Sequence, residues 1–204
     1  MMKLRFVLIF VVIFILAFFT LNSRFVYANL KFLLESKNLS QFSFQIPSLP
    51  VKIPKTIPLP DKATLTINEI GVSAPIIFNV GSDTSAIYEN LQNGVVHYSG
   101  TPKPGAGGVS VVLGHSSAYP WYKGAYGSVF AILGKLKVGD TFSVRYEDGR
   151  TFTYSVKESI VFSPLKSDDR LAAIEKDSKN SSVLLSCWPI GTNYKRIAIY
   201  AEVI

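Results

Sequence analysis

The sequence predicts a mostly-β domain of about eight strands with few helices, an arrangement typical of a closed barrel or a sandwich. Residues 141–146 and 150–162 alternate between polar and apolar side chains, as half-buried strands do, and they flank the hairpin signal Asp148-Gly149. Residues 109–114 and 183–185 are mainly apolar and predict buried strands. The segments between these strands leave room only for short helices.

The elements before this region follow in order from residue 63. Residues 63–68 alternate as a strand does, and residues 73–80 predict a second strand, in which Pro75 marks an edge because proline cannot donate to a ladder. Asp83 is a candidate N-cap for a short helix. Residues 94–108 are rich in glycine and proline and predict a loop.

The second half of the chain adds two short helical segments and the closing strands. Residues 128–133 predict a helical turn, and residues 168–176 predict a short helix inside a long loop. Residues 182–187 and 196–204 close the chain as two strands. The first of these should stop before Pro189, which has no N–H to donate.

The N-terminal segment predicts a membrane anchor. Lys3 and Arg5 precede residues 6–21, which contain a single polar side chain, and a run of this length can just span a bilayer. The same layout also fits a signal peptide cleaved after Ala28. We favour a retained single-pass anchor in residues 1–35, because the apolar run is long for a signal peptide and the cleavage site is a poor match. Either interpretation places the remaining chain outside the cytoplasm.

Proline content and charge set the domain organisation. Residues 36–62 contain five of the 11 prolines and predict an extended linker. Residues 1–62 carry 8 Lys+Arg and 2 Asp+Glu, so +6 of the formal net charge of +7 belongs to this arm. Residues 63–204 form the predicted domain, whose near-neutral charge argues against nucleic-acid binding. A basic arm beside an apolar helix suits an anionic membrane surface.

Cys187 is the only cysteine, which excludes an intrachain disulfide and a multi-cysteine zinc site. It lies at the end of an apolar strand and across a short loop from Arg196, where a cation would favour the reactive thiolate. Arg196 could also bind a carbonyl oxygen or an oxyanion through two N–H donors. The alternatives are a buried core cysteine and a surface arginine at a strand start.

A cysteine nucleophile needs a proton partner, which is most often histidine. His115 directly follows Gly114 at the end of a buried strand, and we favour it over His97. His97 lies in the predicted loop and is more typical of a bracing residue. The chain has neither a G-x-S-x-G elbow nor an H-E-x-x-H motif, so nothing indicates a serine hydrolase or a metalloprotease.

Four segments carry a family resemblance in their order and spacing. Residues 94–105 resemble the segment before a family histidine, and residues 112–115 match the strand and the histidine itself. Residues 130–140 resemble the pattern F-x-x-L-x-x-L-x-x-G-D, and residues 183–187 stand where the family has T-L-x-T-C, with Arg196 at the family spacing. The domain therefore resembles the sortases, which are membrane-anchored cysteine transpeptidases of bacterial surfaces.

The resemblance implies a closed eight-stranded β-barrel with short helices, preceded by the transmembrane helix and the proline-rich stalk. Val183 and Ser186 replace the two threonines of T-L-x-T-C. Ser186 keeps a hydroxyl beside the nucleophile, so we expect it to contact substrate, and Val183 could alter substrate fit. Cys187-Trp-Pro resembles the C-x-P of the class D and class E branches.

The resemblance also implies a reaction. Cys187 would attack the threonine carbonyl of an LPxTG-like sorting signal and form a thioacyl intermediate, with Arg196 positioning the substrate. His115 would protonate the leaving amine and then deprotonate an incoming amine from a peptidoglycan precursor or a pilin lysine. Neither a metal ion nor an organic cofactor is expected. Two alternatives stay open: an anchored cysteine peptidase that hydrolyses the thioester, and a non-enzymatic extracellular β-domain.

Overall fold

The computed structural model describes residues 58–118, 122, 124–166, 168–176 and 179–204. The predicted membrane anchor and nearly all of the predicted linker lie outside these residues. Within the described part of the chain, no helix is both long enough and apolar enough to cross a membrane. The described residues are those of the predicted domain and the last residues of the linker.

Eight strands form a closed barrel, as predicted. They are β1 (Lys62–Ile67), β2 (Val72–Ile77), β3 (Val95–His97), β4 (Val109–Leu113), β5 (Thr141–Tyr146), β6 (Thr151–Phe162), β7 (Ser181–Trp188) and β8 (Lys195–Val203). Their order around the barrel is β1-β2-β3-β4-β7-β8-β6-β5. Two neighbouring pairs are parallel, β2 with β3 and β4 with β7. The order joins strands that are distant in sequence, β1 with β5 and β4 with β7.

The barrel interior is filled by apolar side chains from all eight strands. Because side chains alternate across a strand, every second residue points inward, and the burial pattern of β1 shows this directly. The segment before β5 adds Phe130, Leu133 and Leu136 to the same core, each at most 4% exposed. Burying one such side chain contributes roughly 1.5–3 kcal/mol, so this segment fixes one part of the barrel firmly.

Two short helices cover parts of the outer wall. Helix α1 (Thr84–Asn90) packs Ala86 and Ile87 against the outer faces of β2, β3 and β4. Helix α2 (Asp169–Glu175) packs Leu171 and Ile174 against the outer faces of β4, β6, β7 and β8. Helix α1 therefore covers the wall from β2 to β4, and α2 covers it from β4 through β7 and β8 to β6.

Several local predictions are confirmed. The side chain of Asp83 accepts a hydrogen bond from the backbone N–H of Ala86, so Asp83 is the N-cap of α1. Strand β7 ends at Trp188, directly before Pro189. The prediction of a continuous loop over residues 94–108 is wrong, because β3 occupies Val95–His97. This strand is only three residues long, and the glycines and prolines that follow it dominate the sequence pattern.

Residues 58–61, which the sequence assigns to the linker, contact the barrel. The Lys103 ammonium donates to the carbonyl oxygens of Leu59 and Pro60 and pairs with the Asp61 carboxylate at 2.6 Å. The Leu59 side chain packs against the barrel core. The last linker residues are therefore held against the loop between β3 and β4.

Candidate active site

The register across three neighbouring strands brings the predicted site residues to one end of the barrel. Cys187 on β7 lies directly opposite Arg196 on β8 in their antiparallel pair. On its other side, β7 runs parallel to β4, with Leu113 beside Leu185. His115 follows Leu113 by two residues, and Cys187 follows Leu185 by two residues. The imidazole and the thiol are therefore carried at the same level on adjacent segments.

The three side chains share the outer side of the barrel wall. Leu185, two residues before Cys187, packs in the outer cluster beneath α2. Because alternate residues of a strand share a face, Cys187 projects outward, and Arg196 directly opposite it does the same. The ring of His115 contacts Tyr88 of α1, which covers the outer wall. The site thus lies on the outer wall between the two helices.

Two hydrogen bonds join Gly114, the residue after β4, to strand β7 beside Cys187. The Gly114 N–H donates to the Leu185 carbonyl at 3.1 Å, and the Ser186 hydroxyl donates to the Gly114 carbonyl at 2.8 Å. Ser186 is 3% exposed and, by alternation, points to the opposite face of β7 from Cys187. A contact between Ser186 and substrate stays a prediction. The described contacts show that its hydroxyl holds the strand bearing Cys187 to the segment bearing His115.

Gly114 is needed for close packing beneath His115. A Cβ atom at this position would lie 2.3 Å from the Phe130 ring, which is buried in the core and cannot move aside easily. The Phe130 N–H also donates to the His115 carbonyl at 2.8 Å. The backbone of His115 is therefore fixed by the core segment on one side and by β7 on the other.

The His115 imidazole lies between two tyrosine rings. The Tyr122 ring meets it edge-on, with centroids 5.4 Å apart, and the Tyr88 ring is tilted, with centroids 5.8 Å apart. Burial lowers the pKa of His115 below the ordinary histidine value, because the charged imidazolium loses hydration. The neutral imidazole is therefore the favoured form at neutral pH.

Arg196 is half-buried, and its guanidinium is held by backbone oxygens. Nη1 donates to the carbonyls of Asn193 and Lys195, both at 3.0 Å. Among the described residues, no carboxylate forms an ion pair with Arg196, and both bonds use the same nitrogen. Within the described part of the chain, the remaining N–H donors of Arg196 have no bond to another residue, and Arg196 lies opposite Cys187.

His97 is not part of this group. It is 6% exposed, its Nε2 lies 3.0 Å from the Pro102 carbonyl oxygen, and its ring contacts Phe78 of the barrel core. Burial lowers the pKa of His97 as well. His97 therefore lies on the inner side of the wall and braces the loop between β3 and β4, in agreement with the bracing interpretation.

The sequence did not single out Tyr88 or Tyr122. Tyr88 precedes His115 by 27 positions and Tyr122 follows it by seven, so neither contact is visible as a local pattern. The only signal is the aromatic character of the segment after His115. The assembled site nevertheless has the three groups that thiol-based acyl transfer needs: a nucleophile, an acid/base and a cationic N–H donor. Among the described residues, no group of three His, Cys, Asp or Glu side chains could hold a metal ion.

Cys187 thus lies near the end of a barrel strand, with the His115 segment on one side and Arg196 on the other. A family model of the sortase domain matches residues 65–204, well over half of the chain. The chain belongs to the sortase family. This confirms the resemblance drawn from the four sequence segments.

Solved sortase structures are similar to this domain. Sortase A from Corynebacterium diphtheriae is 27% identical with a TM-score of 0.56, and the match covers 72% of this chain and 62% of that chain. Sortase C-1 from Actinomyces oris is 26% identical with a TM-score of 0.58, and the match covers 84% of this chain and 98% of that chain. Sortase C2 of group B Streptococcus pilus island 1 is 28% identical with a TM-score of 0.56, covering 72% and 76%.

The comparisons leave the finer classification as a prediction. This chain spans less than two thirds of the C. diphtheriae chain. No curated protein sequence matches the chain. The resemblance of Cys187-Trp-Pro to the C-x-P of the class D and class E branches therefore stays a prediction from the sequence.

The lowered pKa of His97 predicts a pH-dependent stability. The folded-state pKa of His97 lies below the unfolded value of about 6.5. As pH falls through about 6.5, the unfolded state therefore binds more protons than the folded state, and the free energy of unfolding decreases. We expect the Tm of the domain to fall between about pH 7.5 and about pH 5. His97→Gln, which keeps a polar group near Pro102, should weaken this fall. An equally steep fall in the glutamine variant would contradict the assignment.

Proposed function

We propose that this protein is an extracytoplasmic cysteine transpeptidase that cleaves an LPxTG-like sorting signal and joins the acyl fragment to an amine. The observation that carries the proposal is the register of β4, β7 and β8, which sets Cys187 beside the His115 segment and opposite Arg196. Membership in the sortase family supports the same reaction class.

In the first half-reaction, the Cys187 thiolate attacks the carbonyl carbon of the scissile peptide bond and forms a tetrahedral intermediate. N–H donors of Arg196 stabilise the oxyanion, since among the described residues a single guanidinium nitrogen is engaged, by the carbonyls of Asn193 and Lys195. His115, neutral at rest, takes the proton of the Cys187 thiol, and the imidazolium so formed gives this proton to the leaving nitrogen. The peptide bond breaks, a thioester remains on Cys187, and His115 is left neutral.

In the second half-reaction, neutral His115 takes a proton from the incoming amine, whose nitrogen attacks the thioester. Collapse of the second tetrahedral intermediate forms the new amide bond and releases the Cys187 thiolate. The lowered pKa of His115 suits the base role, because the imidazole is unprotonated when the amine arrives. No external oxidant or reductant is required.

The partners follow from the same reaction. The donor is the sorting-signal peptide of a secreted surface protein, and the acceptor is the amine of a peptidoglycan precursor or of a pilin lysine. The apolar segment at residues 6–21 would anchor the enzyme in the cell membrane, with the domain outside the cytoplasm. The enzyme would then attach surface proteins to the cell wall or to one another.

Two rival functions make different predictions. A cysteine peptidase with the same site would pass the thioester to water, and added amine would not change its product. A non-enzymatic β-domain would keep Cys187 as a structural residue. Cys187 is half-buried and lies at a strand end, and a core cysteine would be fully buried.

The reaction can be tested with a sorting-peptide library and a panel of amines, with products identified by mass spectrometry. We expect amide products that depend on added amine. Cys187→Ala should abolish them because a methyl group cannot attack a carbonyl. His115→Ala should lower turnover by about 10²–10⁴-fold, the usual contribution of a positioned acid/base.

His97→Gln is the matched control, because it changes the other histidine and leaves the outer face of the wall intact. It should retain most of the activity. Equal losses in His97→Gln and His115→Ala would contradict the assigned roles. Hydrolysed peptide as the sole product at high amine concentration would favour the peptidase.

The Arg196→Lys variant distinguishes two possible roles of Arg196, that of a planar hydrogen-bond donor and that of a local positive charge. Lysine keeps the charge, and Lys195 is adjacent, but lysine cannot reproduce the fork of parallel N–H donors. We expect kcat to fall at least about tenfold, which corresponds to about 1.4 kcal/mol of lost transition-state stabilisation. Steady-state kinetics with a fixed sorting peptide and amine measures this loss.

Lys195→Arg provides the complementary control, since it leaves Arg196 in place and preserves the total charge. It should keep wild-type kcat. Near-wild-type transpeptidation by Arg196→Lys would show that Arg196 acts only as a local charge.

A further inference from the structure

The orientation of the His115 ring is not set by a hydrogen bond to a described residue. Acid/base histidines are usually oriented by a carboxylate or a carbonyl on the second ring nitrogen. Nε2 of His115 is buried and has no hydrogen-bond partner among the described residues. Its described ring contacts are the edge-on Tyr122 ring and the tilted Tyr88 ring. The imidazole is therefore confined by aromatic packing.

Tyr122 is itself fixed to α1. Its hydroxyl donates to the Leu91 carbonyl oxygen at 3.0 Å, and Leu91 is the C-cap residue of α1. The last carbonyls of a helix have no partner within the helix, so this bond satisfies one of them. Tyr122 is thus joined to the end of the helix that also carries Tyr88.

The loop around Tyr122 is built to pack closely against its ring. A Cβ atom at Gly124 would lie 2.8 Å from the Tyr122 ring and 2.7 Å from the Gln92 carbonyl oxygen. A Cβ atom at Gly127 would lie 2.7 Å from the same ring. Burial raises the pKa of Tyr122, so the phenol stays protonated and keeps its donor hydrogen. Tyr122 is held by its hydroxyl at one end and by glycines along its ring.

We propose that Tyr122 is a positioning residue for His115: its hydroxyl ties Tyr122 to the end of α1, and its ring, nearly perpendicular to the imidazole, holds the imidazole beside Cys187. This inference rests on the proposed acid/base role of His115. Tyr122 does not touch the reacting atoms in this account. It replaces the polar partner that would otherwise orient the histidine.

The same contact keeps water away from the imidazole. The titratable side chains in described contact with the His115 ring are Tyr122 and Tyr88 of α1, and the strand pairing places Cys187 on the adjacent strand β7, with Arg196 one strand further. None of these is a carboxylate, and burial is the cause of the lowered pKa of His115. A smaller side chain at position 122 would admit water and let the pKa rise toward its ordinary value.

The test compares Tyr122→Leu, which removes the aromatic edge, with Tyr122→Phe, which keeps the ring and loses the bond to Leu91. The pKa of His115 is measured by NMR titration of the imidazole protons in a Cys187→Ala background, so the readout does not need activity. We expect it to rise in Tyr122→Leu and to rise less in Tyr122→Phe. His97, on the inner side of the wall, serves as the internal control and should not shift.

Kinetics gives a second readout in the presence of Cys187. Tyr122→Leu should lower kcat by about tenfold, and Tyr122→Phe by about threefold, with the KM for the sorting peptide unchanged in both. A merely structural role would lower the amount of folded enzyme and leave the His115 titration of the folded fraction unchanged.

Wild-type kcat and a wild-type His115 pKa in folded Tyr122→Leu would overturn the proposal. If Tyr122→Leu does not fold, Tyr122→Phe decides by the same two readouts, and wild-type values in both would overturn it. Absence of transpeptidation by the unmodified enzyme would count against the proposed function, whereas the NMR titration would still test the positioning by Tyr122.

Discussion

The parallel pairing of β4 with β7 is the constraint on which the site depends. It joins two strands about 70 residues apart in sequence. The pairing ends at two hydrogen bonds of Gly114, one to the Leu185 carbonyl and one from the Ser186 hydroxyl. A one-residue slip in this register would turn Cys187 to the inner face of the wall. Since β8 is paired with β7 in a fixed register, Arg196 would turn to the inner face together with Cys187.

Packing in the barrel core also fixes the register of β4 against β7. The Phe130 ring occupies the space that a side chain at position 114 would need, and its N–H binds the His115 carbonyl. Shifting β4 along β7 would therefore also disrupt a fully buried aromatic side chain. Core packing and site geometry are coupled at Gly114, which explains why a residue without a Cβ precedes the proposed acid/base.

The sequence predicts local features well because their causes are local. Alternation identifies the β5–β6 hairpin, and Asp83 identifies the start of α1. The sequence does not predict β3, because its three residues form too short a pattern beside a glycine-rich loop. Cys187 and His115 could be selected from their strand ends and the family spacing, but Tyr122 could not. The contact of Tyr122 with His115 depends on tertiary packing beside the end of α1, and no periodic pattern encodes that.

The acyl intermediate on Cys187 can be trapped. The domain would be incubated with a sorting peptide in the absence of amine, quenched in acid and measured by intact-protein mass spectrometry with peptide mapping. We expect one adduct of the mass of the acyl fragment, located on Cys187 and lost when an amine is added. Peptide cleavage without an adduct, or an equal adduct on the Cys187→Ala protein, would contradict the claim that the register of β4, β7 and β8 assembles a cysteine acyl-transfer site.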